Sequence, residues 1–164
     1  TLRLQGMAVQ GQVLDFGGGI GTHALSAAAL SEVDHVWFVD LNPHNQAFVQ
    51  QRSESLGLAD KLSVHRDLSS TGDVRFDAVV CLDVLEHLPD PSAQLLEFHQ
   101  RMAPGAIALL NWYFFKGHQG EYPFHFDDPA LVDGFFRTLQ AQFLEVFHPL
   151  LITARLYRSL DGSD

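Results

Sequence analysis

The residues with the most chemistry in this sequence fall at the ends of short apolar runs. Asp15 lies at the end of Gln12-Val-Leu-Asp-Phe16 and opens a D-x-G-x-G-x-G pattern through Gly17, Gly19 and Gly21. Asp40 closes Val36-Trp-Phe-Val-Asp40, Asp67 closes the run from Lys61, and Leu82 and Asp83 follow Phe76-Asp-Ala-Val-Val-Cys81 just ahead of Glu86-His87. Glycines allow a backbone to approach a ligand closely. A dinucleotide fingerprint needs G-x-G-x-x-G; counted from Gly17 the sixth position is Thr22, and counted from Gly19 it is Ala24, so the strict pattern fails. An acidic residue at the mouth of such a loop repels pyrophosphate and attracts a cation. Carboxylates at Asp40 and Asp67 suit hydroxyls and an amine, so the set points to a cationic, hydroxyl-rich ligand. His87, His118 and His125, in that order, are the candidates for a general base, because imidazole titrates near neutrality. Cys81, inside an apolar run, is expected to be a small buried residue and not a nucleophile.

The elements that must position these groups alternate. The run ending at Asp15 reads as a strand, the glycines as a turn and Thr22–Leu30 as a helix. Val36–Asp40 is a second strand. Asn42-Pro43 then supplies a cap and a first-turn proline for a helix to about Leu56, with Gly57 as its stop. Lys61–Asp67 is a third strand, followed by a connection too short for a full crossover helix. Phe76–Leu82 is a fourth strand, apolar enough to be buried on both faces. Asp90-Pro91 and Asp128-Pro129 repeat the cap-plus-proline device, the first helix running to about Met102 before Pro104-Gly105. Ala106–Phe115 reads as a fifth strand, and Phe143–Phe147 with Ile152–Tyr157 as a closing antiparallel pair around Pro149. This order predicts an α/β fold, a mostly parallel sheet with helices on both faces. The carboxyl ends of its strands form the ligand crevice. The stretch Asn111–Asp127 is long for a loop, which marks it as functional; its Phe114, Phe115, Phe124 and Phe126 are candidates for an apolar acceptor pocket.

Composition narrows the function. The 164 residues hold 10 Lys+Arg against 20 Asp+Glu, a net charge of −10, which excludes a sequence-independent grip on nucleic-acid phosphates. A single Cys allows no internal disulfide, fitting a reducing, cytoplasmic setting. The longest apolar stretch falls far short of the roughly 20 residues of a membrane helix. The length suits one domain. The sequence starts at Thr1, as expected of a trimmed chain.

The glycine pattern, the ordered acids and the Val84-Leu-Glu-His-Leu88 block resemble class I S-adenosylmethionine-dependent methyltransferases. The likeness is to the small-molecule type, similar to the ubiquinone and menaquinone biosynthesis methylases. It rests on Val13–Gly21, Val39-Asp-Leu-Asn-Pro43, Asp67 and Phe76–Asp90. The resemblance implies a Rossmann-like seven-stranded sheet with an antiparallel C-terminal hairpin. It implies S-adenosylmethionine touching Asp15, Gly17, Gly19, Asp40, Asp67 and the Leu68 backbone, with Leu82 and Asp83 behind the methionyl group. The implied reaction is in-line methyl transfer to an O, N or C atom of a small acceptor, leaving S-adenosylhomocysteine. Some relatives hold a divalent cation at the spacing of Asp83, Glu86 and His87, although the Glu-His pair is widespread without metal. Only about a dozen residues precede the first strand, so the cap helices usual in the family are expected to be short or missing. The alternatives are a catalytically silent cofactor-binding domain and, less favoured by the failed fingerprint, a nicotinamide-dependent oxidoreductase. A DNA amino-methylase is disfavoured by the acidic balance and by Cys81-Leu-Asp-Val84.

Overall fold

The run that ends at Asp15 folds as β1 (Gly11–Phe16), and parallel neighbours on both sides explain why its middle residues, Val13 and Leu14, are fully buried on opposite faces. The computed structural model describes residues 9–146 and 153–160. After β1 come α1 (Thr22–Ala28), β2 (Val33–Val39), α2 (Pro43–Ser55), β3 (Leu62–His65), β4 (Phe76–Cys81) and α3 (Pro91–Arg101). They are followed by β5 (Met102–Leu110), α4 (Pro129–Gln142), β6 (Phe143–Val146) and β7 (Arg155–Ser159). The strands form one seven-stranded sheet in the order β3-β2-β1-β4-β5-β7-β6. β1 to β5 are parallel, and β7 runs antiparallel to both β5 and β6. The expected sheet and C-terminal antiparallel pair are therefore present. The turn expected around Pro149, with Phe147 and Ile152, lies outside the described residues, as do residues 1–8.

All three cap-plus-proline signals start helices. The side chain of Asn42 accepts from His44 N–H, that of Asp90 from Ala93 N–H, and that of Asp128 from both Ala130 and Leu131 N–H. Each satisfies a backbone donor that the first helical turn leaves unpaired. Between β3 and β4 the chain makes only a 3₁₀ turn, Leu68–Thr71. The order of strand addition reverses between the parallel neighbours β1 and β4, so their carboxyl ends border the crevice where open α/β sheets bind ligands.

The fifth strand departs from expectation. It starts at Met102, directly after α3, and ends at Leu110 instead of running from Ala106 to Phe115. Phe76 pairs with Met102 but Ala78 with Ile107, so Pro104 and Gly105 form a bulge inside the strand instead of a break before it. A bulge tolerates proline because no ladder donor is lost there. At the other end Asn111 turns to hydrogen-bond Asp83, and the following rings pack on α4 instead of extending the sheet.

Apolar clusters cover both faces of the sheet, one including Val13, Val36 and Phe38, the other Leu14, Phe76, Phe98 and Phe135. Phe135, fully buried on α4, meets Phe114 at 4.8 Å and Trp112 at 5.0 Å between ring centroids. Phe135→Ala is expected to lower stability by ~3–5 kcal/mol, the usual loss for a buried aromatic cut to alanine. Urea denaturation checks this, and a loss below about 1 kcal/mol would show that α4 does not anchor the 111–114 segment.

Candidate active site

The glycine loop is shaped by close approach. Gly17, Gly19 and Gly21 have φ of +69°, +57° and +73°, values that side-chain-bearing residues rarely adopt. A Cβ on Gly17 would lie 2.3 Å from Val84 Cγ2, whereas one on Gly19 would meet nothing within 4 Å, so the loop is packed behind and open in front. Gly17 N–H donates to the Val39 carbonyl at 2.7 Å, joining the loop to the end of β2.

Asp40, 8% exposed just past β2, holds the loop from the other side. Its Oδ2 accepts from Gly19 N–H at 2.9 Å and from Asn45 Nδ2 at 3.2 Å, and its Oδ1 accepts from Asn42 N–H at 2.8 Å. A carboxylate offers about four lone-pair directions, so about one remains, on Oδ1. A grip on two ribose hydroxyls therefore requires Gly19 or Asn45 to yield. Asp67 caps the 3₁₀ turn: its Oδ1 accepts from Ser69 Oγ at 2.6 Å and Ser70 N–H at 3.1 Å. The Ser69 hydroxyl and then the Ser70 amide hold this exposed carboxyl below its usual range.

Gly17, Asp40, Asp67 and Leu68 line one cavity of about 500 Å³, closed by Val84 and Leu88 after β4 and by Gln94 and Glu97 of α3. Asp15 lines a second cavity, of about 340 Å³, with His23 of α1. Its Oδ2 accepts from Ala24 N–H at 2.9 Å. Burial pushes its carboxyl up to about 7, with the Ala24 amide pulling the other way and the Asp40 charge adding to the rise. Burial also lowers the His23 imidazole below its usual value.

Leu82 and Asp83 line neither cavity; Val84 stands in the wall instead. Asp83 adopts φ +56°, and Asn111 clamps it, accepting from Asp83 N–H at 2.5 Å and donating from Nδ2 to Asp83 Oδ1 at 2.8 Å. Such backbone persists in a non-glycine residue only where its surroundings hold it. Asp83, the acid that some relatives pair with the Glu-His spacing, is bonded to Asn111 and is not in the group that gathers around Glu86 and His87. The group that assembles is Glu86, His87 and His125, with one ligand atom from each all within 4.8 Å of one another. His118 lies apart, its ring edge-on to Phe115 at 5.3 Å. Of the four loop phenylalanines, Phe114 packs into the core, while Phe115, Phe124 and Phe126 are exposed. Cys81 is buried and free, and burial raises its thiol well above the usual value, which removes it as a nucleophile. Sequence reasoning missed Asn111, whose one signal is that it interrupts an apolar run at a strand end.

Residues 3–131 match the family model described as a methyltransferase domain. The chain belongs to the methyltransferase domain family. This methyltransferase domain is 33% identical over 104 residues to a ubiquinone biosynthesis O-methyltransferase of Psychrobacter arcticus, covering 61% of the chain and 40% of that protein. It is 32% identical over 107 residues to an uncharacterized protein of Synechococcus sp., covering 62% of the chain and 25% of that protein. The chain thus spans well under half the length of these relatives. Among solved structures, a putative sarcosine dimethylglycine methyltransferase from Galdieria sulphuraria superposes with a TM-score of 0.69 at 17% identity, over 89% of this chain and 59% of that one. That likeness concerns the fold of the methyltransferase domain. No described helix is long and apolar enough to cross a membrane.

Proposed function

We propose that this methyltransferase domain binds S-adenosylmethionine across the glycine loop and transfers its methyl group to a small acceptor held beneath the 111–127 segment. The observation that carries the reading is that Gly17, Asp40, Asp67 and Leu68, scattered over 52 positions of sequence, line one cavity of about 500 Å³. The residues fit this cofactor: the open front of Gly19 admits its bulk, and the carboxylates of Asp40 and Asp67 suit ribose hydroxyls and an adenine amine. Asp15, in the neighbouring cavity, would supply negative charge once a cationic centre beside it draws off its proton.

When bound, S-adenosylmethionine supplies a methyl group on a sulfonium, already activated toward displacement. The chain's own residues then have positioning to do more than chemistry. The apolar wall of Val84 and Leu88 excludes water from the nucleoside side. The aromatic segment 111–127 offers exposed Tyr113, Phe115 and Tyr122 to an acceptor. An acceptor hydroxyl must lose a proton, and His87 and His125, 4.7 Å apart between ring centroids, are better placed together than His118 to take it. The oxygen-directed names of the curated relatives favour a hydroxyl over an amine or carbon acceptor.

Calorimetry of the chain with S-adenosylmethionine, S-adenosylhomocysteine and NAD tests the cofactor, and a screen of phenols, catechols, amines and carboxylates tests the acceptor. Binding of the first two without NAD is the expected result. NAD binding with no response to the other two would overturn the reading in favour of an oxidoreductase, and cofactor binding without turnover of any acceptor class would favour a silent domain.

A further inference from the structure

Among the described residues, Asp83 alone combines a side chain with a positive φ, +56°. Backbone in that region costs energy in any residue but glycine and is kept only where its surroundings over-determine it. Here the surroundings are one side chain. Asn111 Oδ1 accepts from Asp83 N–H at 2.5 Å and Asn111 Nδ2 donates to Asp83 Oδ1 at 2.8 Å, two bonds spanning 28 positions of sequence. Asn111 can hold because it is itself anchored. It directly follows the buried run Ala106–Leu110 of β5, and its N–H donates to the Cys81 carbonyl at 3.3 Å, one step beyond the last β4–β5 pair.

The clamp is not a device for stability. Asp83 is exposed and Asn111 half-buried, so water can replace either partner at little cost. What the clamp controls is where the chain goes next. Val84 stands in the wall of the 500 Å³ cavity, and its Cγ2 comes so near Gly17 that a Cβ there would lie 2.3 Å away. The Val84 carbonyl in turn accepts from His87 N–H at 2.9 Å. A rotation of φ at Asp83 swings everything after it, so relaxation to a negative φ would withdraw Val84 from the glycine loop.

We propose that Asn111 is a positioning residue for the cofactor. By holding Asp83 in its unfavourable conformation it keeps Val84 pressed against Gly17, and so fixes the shape of the cavity that receives the nucleoside of S-adenosylmethionine. Asn111 acts through Asp83 and Val84. The identity of the ligand rests on the cofactor reading above.

The test is calorimetric titration of the chain with S-adenosylhomocysteine, with thermal melting of the same samples to verify folding. Asn111→Ala should weaken binding on the order of 10-fold or more. Asp83→Gly in that background should recover most of the lost affinity, because glycine takes a positive φ without a clamp. A merely structural Asn111 would behave differently: the variant would melt earlier, yet bind with unchanged affinity while folded. If Asn111→Ala does not fold, Asn111→Asp takes its place. It keeps the side-chain size, loses the donor and faces the Asp83 carboxylate, so binding should weaken likewise, and adding Asp83→Asn, which exchanges the pair, should restore it. Unchanged affinity in the folded Asn111 variant overturns the proposal, as does weakened affinity that the second change does not recover. Absence of S-adenosylhomocysteine binding in the wild-type chain overturns the cofactor reading and this proposal with it, whereas either of the other two results beside a binding wild type overturns this proposal alone.

Discussion

Asp40→Ala is expected to reduce S-adenosylmethionine affinity more than roughly 100-fold, while also lowering stability by ~1–3 kcal/mol. The two effects have different origins. The carboxylate currently fixes the glycine loop through Gly19 N–H and the start of α2 through Asn42 N–H. Removing it leaves these partly buried amides without acceptors, which accounts for the stability loss. Hydrogen bonds to a charged acceptor contribute about 1.5–3 kcal/mol each, so losing two ribose contacts suffices for the affinity change. Asp40→Asn separates the origins, because its amide oxygen can still accept from one backbone amide. It should regain part of the stability while binding remains weak. Calorimetric affinity unchanged in both variants would show that the ribose does not sit at Asp40.

The second large effect is in pH dependence. The Asp15 carboxyl lies at about 7 in the folded protein against 3.8 ordinarily, chiefly because it is buried. Between those values the folded chain keeps a proton that the unfolded chain has released. Unfolding then sheds a proton, so rising pH favours it, and this group's contribution makes stability fall from about pH 4 to pH 7 and level off above. The full drop is on the order of 4 kcal/mol. Asp15→Asn removes it. The amide can still accept from Ala24 N–H, but its own donors lack partners, which takes back ~1–3 kcal/mol. The quantity to measure is the difference in denaturation free energy between wild type and variant from pH 4 to 8, since the other titrating groups cancel in it. A difference that does not change with pH would show that Asp15 is ionised throughout. A cationic ligand beside Asp15 would hold it charged, so cofactor binding near pH 6 should release protons, detectable by calorimetry in buffers of different ionisation enthalpy.

What was legible in the sequence follows from how local each signal is. Asn42, Asp90 and Asp128 act on amides two or three residues away, so a cap followed by proline was enough to place three helix starts. The acids at strand ends were legible because parallel strands must deliver their carboxyl ends to one edge. Pro104-Gly105 misled because a bulge and a break share the same residues, and only the pairing of Phe76 with Met102 distinguishes them. The partner of Asp83 lies 28 residues away at Asn111, and the backbone partner of the His87 ring lies 37 away at Phe124. No spacing rule reaches that far through an irregular loop. His125 was visible as a histidine; that its ring comes to lie 4.7 Å from the His87 ring depends on how the loop folds back.

The short connection between β3 and β4 has a mechanical consequence. Arg101, at the end of α3, donates from Nη1 to Thr71 Oγ1 at 3.1 Å and to the Gly72 carbonyl at 2.7 Å, and pairs with Glu97 at 3.5 Å. Glu97 stands on one wall of the larger cavity, and Asp67 to Ser69 stand on the other. A single guanidinium therefore works as a spacer between two walls that no covalent crossover helix holds apart, and the width of the slot in which a flat heterocycle would lie is set from outside the slot.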